Sequence, residues 1–239
     1  MKKIIEISNL TKRIRKLVII NNINLDIFRG ERIAILGANG SGKTTLIELI
    51  SNITILSTGT IKIFSDQEKL KRIGLQFQEG YWPKGVTPKS IIKYYVGRKV
   101  WKTQPITDLI NIFDIASIIN KDLNNLSGGE KQRFNAMLSI INAPEILILD
   151  ELITGLDLKM QVKLINFFKT YLQDNNKTLL MISHIPEEVE ALCQRVILLE
   201  KGNIIHDKSL IEIRKEFGTV RKFMRTYYEM QEVDNENTQ

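Results

Sequence analysis

A chain of 239 residues, 43% hydrophobic and 26% charged, is sized for one large domain or two small ones and lies far from disordered or collagenous compositions. No apolar run approaches the ~18 residues that a membrane span needs, and Glu6 interrupts the stretch where a signal peptide would carry its apolar core, so the expectation is a cytosolic protein. One cysteine, Cys193, excludes an internal disulfide framework, and two histidines, His184 and His206, are too few for zinc; the net charge of +7 favours an anionic partner, but the basic clusters lack the aromatic interleaving of a nucleic-acid binder, so no nucleic acid is expected.

"KIIEISNL" (3–10) and "VIINNINLDIF" (18–28) alternate apolar and polar residues, which predicts half-buried antiparallel strands in one small sheet. "RIAILG" (32–37) is a fully apolar strand ending in glycine, and "KTTLIELISN" (43–52) has helical periodicity. Strands at 59–64 and 72–77 precede a helical block from about Pro88 to Ala143. The chain then alternates: strand 145–150, helix about 159–173, strand 178–183, helix about 186–192 and strand 195–200. Interleaved strands and helices imply an α/β fold with a parallel sheet and crossovers. Residues 219–231 suit either a basic amphipathic helix near lipid or a C-terminal cap, of which the cap is preferred, and the polar residues 232–239 read as a frayed tail.

"GANGSGKT" (37–44) fits the phosphate-loop pattern between an apolar strand and a helix. Gly37, Gly40 and Gly42, with Ala38, Asn39 and Ser41 between them, let backbone N–H groups turn toward phosphate oxygens. Lys43 reaches the β and γ phosphates, Thr44 offers a hydroxyl to Mg²⁺, and Thr45 completes the first turn of the helix. The strand "EILILD" ends in Asp150, positioned as a second Mg²⁺ contact, and Glu151 follows, where a carboxylate can accept a proton from an attacking water. "LSGGEKQR" (126–133) has the Ser127-to-Glu130 spacing of a capping box, but a cap does not need Gly128 and Gly129, which weaken a helix unless something must approach the backbone closely.

With "GANGSGKT", "LSGGEKQR" and "ILILDE" in this order, the chain resembles the ATP-binding cassette (ABC) ATPases from about Glu6 to Ile205. The resemblance implies a phosphate-loop α/β core with an N-terminal antiparallel β subdomain and a helical subdomain near 79–143, all in one cassette over residues 1–231. It implies ATP and Mg²⁺ as ligands, Asp150 and Thr44 as metal contacts, and Glu151 as catalytic base. Gln78 falls at the family's Q-loop glutamine, which contacts metal and water; His184 falls at the switch histidine facing the γ phosphate; Asp157 in "TGLD" falls at the subunit boundary. Ser127, Gly128, Gly129 and Glu130 would close the site of a second ABC subunit, identical or homologous, in a head-to-tail dimer.

The resemblance further implies a separate integral membrane permease and a location on the cytoplasmic face of the membrane; the alternative is a soluble cassette acting as a switch in a non-transport assembly. Tyr81 and Trp82 lie where a permease would dock. Two departures stand out. Ile14 occupies the place of the family's adenine-stacking aromatic, which predicts weak discrimination between ATP and GTP. Leu152 and Ile153 replace the usual proline-containing pair after the catalytic glutamate, which predicts a looser loop before Asp157.

Overall fold

The computed structural model describes residues 2–65, 72–76 and 82–236. In chain order the elements are β1 (Lys3–Ile14), β2 (Leu17–Phe28), β3 (Arg32–Leu36), α1 (Lys43–Ile50), β4 (Thr58–Ile63), β5 (Ile73–Leu75), α2 (Pro88–Val96), α3 (Gln104–Ile112), α4 (Gly128–Ile140), β6 (Ile146–Asp150), α5 (Leu158–Asp174), β7 (Thr178–Ile182), α6 (Pro186–Leu192), β8 (Arg195–Glu200), β9 (Asn203–Ser209), α7 (Leu210–Phe217) and α8 (Val220–Glu236). They form two compact units, residues 1–64 with 179–239, and residues 65–178.

The first unit holds two sheets. β1 lies between β2 and β4, antiparallel to both, with Ile5 opposite Ile27 and Ile63 and with Ile7 opposite Leu25 and Ile61. The alternation in the sequence puts Ile5, Ile7, Leu25 and Ile27 in the core. The second sheet runs β7-β3-β8-β9, parallel except for β9. In β3, Ile33, Ala34, Ile35 and Leu36 are all buried, as expected of a strand covered on both faces. β8 turns into β9 through Lys201 (φ 44) and Gly202 (φ 79), both left-handed as a type I′ hairpin requires. Arg195 closes that hairpin with two bonds of 2.6 Å to Asp207 and reaches Glu31 at 3.0 Å; the Asp207 bonds push the guanidinium pKa upward.

β9 and α7 go beyond the elements expected from the sequence. α7 has its own capping box, with Ser209 accepting from Glu212 N and the Glu212 carboxylate accepting from Ser209 N. α8 continues to Glu236, past the point where a polar tail was expected to begin, because "EMQEVDNE" contains neither Gly nor Pro to stop it. It packs Phe223, Met224 and Tyr227 inward, as a cap does, and an ion pair from Arg221 to Glu187 ties it to α6.

In the second unit β5 pairs in parallel with β6, Gly74 opposite Leu147. α4 lies on this pair so closely that a Cβ at Gly74 would sit 1.7 Å from the Ser139 carbonyl oxygen, so only glycine fits there. Phe113 and Phe168 are fully buried and meet edge to face, with Phe167 against both, joining the end of α3 to α5. Two 3₁₀ turns, Ala116–Ile118 and Leu123–Asn125, lead to the start of α4.

Candidate functional site

In the first unit the sequence between β3 and α1 forms a loop that turns back on itself. Gly37 (φ 143) could not carry a side chain, because a Cβ would lie 2.2 Å from the Leu199 carbonyl oxygen. Gly42 (φ 106) caps α1 in the left-handed region, and a Cβ there would meet Ile20 Cδ1 at 2.8 Å. Lys43 is almost buried and donates to the carbonyls of Gly37 at 2.7 Å and Ala38 at 3.0 Å, so its ammonium lies inside the curl of the loop. The Ser41 hydroxyl is buried with no hydrogen-bond partner among the described residues. Asn39, Gly40 and Thr44 are exposed, Ala38 and Thr45 half-buried. No acid occupies the first turn of α1 to offset its positive end. Inward carbonyl partners for a lysine, a spare buried hydroxyl and an uncompensated helix N-terminus together suit a polyphosphate.

β7 delivers His184 in the same unit, on an exposed turn just before α6. The preceding Ser183 is fully buried, bonded to the Glu188 carboxylate, and accepts from Ile185 N at 2.9 Å, which fixes the turn. His184 Nδ1 lies 3.3 Å from the Tyr228 hydroxyl, itself 3.5 Å from the Gly37 carbonyl oxygen. The histidine and the phosphate loop are thus brought together through a residue of α8. Sequence reasoning missed Tyr228, and nothing local could have revealed it, since its partners lie 44 and 191 positions away.

In the second unit Asp150 ends the fully buried strand β6 and is 8% exposed. Glu151 follows with φ 51, a left-handed conformation that costs a residue bearing a Cβ about 1–2 kcal/mol. Its carbonyl accepts from the Gln132 side chain, linking this turn to α4. Leu152 and Ile153 are 0% and 3% exposed, so the expectation of a looser loop is corrected: two buried aliphatic side chains anchor it. Gln161 holds the Leu156 carbonyl at 2.9 Å, and Asp157 caps α5 by accepting from Met160 N at 3.0 Å.

The segment "LSGGEKQR" starts α4. Ser127 Oγ accepts from Glu130 N at 3.2 Å, and Glu130 accepts from Ser127 N at 2.9 Å, so the capping box is complete. Lys121, at 2.9 Å, and the Ser127 N–H hold the Glu130 carboxyl below its ordinary pKa. A Cβ on Gly128 would meet nothing within 4 Å, and one on Gly129 would come within 3.2 Å of the Gly155 carbonyl oxygen. Packing within the chain therefore does not explain Gly128. Gln78 and Tyr81 lie outside the described residues. Trp82 is half-buried, its backbone N–H and C=O engaged at 3.3 and 2.9 Å by the Asn124 side chain.

The ABC transporter family profile matches residues 20–154, more than half of the chain. The chain belongs to this family. The cassette is 31% identical over 207 residues to the ABC transporter ATP-binding protein NatA of Bacillus subtilis (strain 168), covering 80% of this chain and 82% of that protein. It is likewise 31% identical over 211 residues to the lantibiotic transport ATP-binding protein SrtF of Streptococcus pyogenes, covering 85% and 90%. Among solved structures, the ATP-binding subunit of an ABC transporter superposes with a TM-score of 0.80 at 20% identity, covering 95% of the cassette and 99% of that chain. A dimeric cassette in a post-hydrolysis state with ADP and Pi gives 0.74 at 23% identity, covering 86% and 98%. Both share its fold: an antiparallel sheet, a mainly parallel sheet and covering helices.

Proposed function

We propose that this cassette binds ATP with Mg²⁺ and hydrolyses it to ADP and phosphate as one subunit of a transporter whose membrane permease is a separate chain. The observation that carries the reading is the phosphate loop, in which Lys43 lies inside a curl closed by two glycines that tolerate no side chain. The donor set also fits Mg²⁺: Thr44 on the first turn of α1, Asp150 at the end of β6 and Gln78 are hard oxygen donors, with no thiolate among them. What the metal supplies when bound is neutralisation of phosphate charge. The loop N–H groups and Lys43 hold the β and γ phosphates; Glu151 accepts the proton of the attacking water; His184 and Gln78 orient the γ phosphate and the water.

The open face of Gly128 supports the proposal that Ser127, Gly128, Gly129 and Glu130 meet the nucleotide of a second cassette, identical or homologous, in a head-to-tail dimer. The names of the relatives include lantibiotic transport and methionine import, which supports transport without choosing a cargo or direction. The permease would place the cassette on the cytoplasmic face of the membrane. Phosphate release by the purified protein tests the enzyme reading: Glu151→Gln should lower turnover by about two orders of magnitude or more while leaving ATP binding intact. An unchanged rate refutes Glu151 as the base. Co-purification with a multi-spanning membrane protein tests the permease.

A further inference from the structure

α8 lies outside every motif considered above, yet one of its side chains touches both the phosphate loop and the switch turn. The helix is held to α6 by Val220 N donating to Glu190 at 3.0 Å and by the Arg221 to Glu187 ion pair, and α6 begins two residues after His184. Phe223, Met224 and Tyr227 are buried beneath it, and Phe217 of α7 meets Phe223 edge to face at 5.1 Å. This anchoring carries the half-buried Tyr228 phenol to 3.3 Å from His184 Nδ1 and 3.5 Å from the Gly37 carbonyl oxygen.

A phenol has one proton to donate, and here both the His184 Nδ1 and the Gly37 carbonyl oxygen lie within its reach; the ring nitrogen accepts that proton only in the tautomer that leaves Nδ1 bare. The Gly37 carbonyl already accepts from the Lys43 ammonium at the shorter distance of 2.7 Å, whereas the Nδ1 contact is the shorter of the two that the phenol makes. Burial raises the phenol pKa, so the hydroxyl stays a donor across the neutral range. An imidazole that accepts at Nδ1 must carry its proton on Nε2.

We propose that Tyr228 is a positioning residue for the switch histidine: it donates to His184 Nδ1, holds the ring in the Nε2–H tautomer and so keeps Nε2–H as the ring's donor for a γ-phosphate oxygen. The inference rests on the reading of His184 as a γ-phosphate contact. It makes the C-terminal helix part of the hydrolytic machinery, so a partner that displaced α8 would switch the histidine off without touching the nucleotide.

The test is Tyr228→Phe in the full chain, which keeps the ring and removes the hydroxyl. The protein has only two histidines, so both imidazoles are resolved by ¹⁵N NMR without nucleotide. His206 is the internal control, because its ring lies 5.8 Å from Phe223 on the same helix and reports whether α8 remains docked. The expected result is a His184 Nδ1 resonance that moves toward the unbonded position while His206 stays in place. With ATP, kcat should fall roughly three- to tenfold, the size of one neutral hydrogen bond, with little change in KM. The same substitution should cost nothing further in a His184→Ala background. A His184 resonance that does not move overturns the proposal, as does a loss of kcat that persists in His184→Ala. A wild-type protein without ATPase activity would instead overturn the function proposed above, while the imidazole spectra would still decide the tyrosine–histidine bond.

Discussion

As the proposed base, Glu151 must keep its carboxylate, but its left-handed backbone favours glycine, and this conflict yields a quantitative prediction. At φ 51 a residue with a Cβ bears about 1–2 kcal/mol of steric cost, whereas glycine there would bear none. Against that gain, glycine loses about 0.5–1 kcal/mol more conformational freedom on folding. The difference leaves Glu151→Gly more stable by about 0.5–1 kcal/mol, or roughly 1–4 °C in Tm for a chain of this size. Glu151→Gln is the matched control: it removes the same negative charge beside Asp150 but keeps the Cβ, so comparing the two variants isolates the backbone. Thermal unfolding of the nucleotide-free proteins, with phosphate release measured in parallel, should show both variants inactive and the glycine variant melting above the glutamine one. If Glu151→Gly melts at or below Glu151→Gln, the left-handed turn is not under strain and no such conflict exists.

Other outcomes follow from single features. Ile14 is 54% exposed at the end of the β1–β2 hairpin, so ATP and GTP should bind within a few-fold of each other; Ile14→Tyr should tighten ATP by about 1 kcal/mol through stacking, and a strong ATP preference in the unmodified protein would refute the reading. Cys193 is 6% exposed and burial pushes its thiol pKa far up, so a thiol reagent at pH 8 should label it only as fast as the protein opens; rapid native labelling would contradict this. The Glu130 carboxyl has a depressed pKa in the folded chain, so the stability it lends α4 is present above its ordinary pKa and lost as pH falls through the lower folded value. Glu130→Gln should flatten that acid limb of the urea-denaturation profile, and an unchanged limb would show that other carboxylates dominate it.

Elements whose pattern is local were legible in the sequence. β3 and β6 read as buried strands from four successive apolar residues, and the capping box at Ser127 was visible from its spacing. β9 was not, because "NIIHDKS" is too polar to signal a strand unless Lys201-Gly202 is read as the hairpin turn it forms. α7 carried its cue in Ser209 and Glu212, the same spacing as at Ser127 and Glu130. The burial of Leu152 and Ile153 was illegible for another reason: an aliphatic pair replacing proline says nothing about whether the core reaches it. Tyr228 depends on a docked helix and on partners from distant segments, which no pattern within α8 encodes.

The position of β3 also has a temporal consequence. Its partners β7 and β8 begin at Thr178 and Arg195, so a nascent chain displays an apolar strand ending in the phosphate loop long before either neighbour exists. Ribosomes add roughly 5–20 residues per second, so the interval from Leu36 to Thr178 lasts on the order of 7–30 s. During that time "RIAIL" has unpaired backbone on both sides, the condition in which strands associate with the wrong partner. Residues 65–178 are complete before β8 emerges, so the segment made last, residues 179–239, is needed to finish the unit that residues 1–64 begin. Truncation before Thr178 would therefore leave β3 without either neighbour, and the cell would meet that fragment as an aggregation hazard.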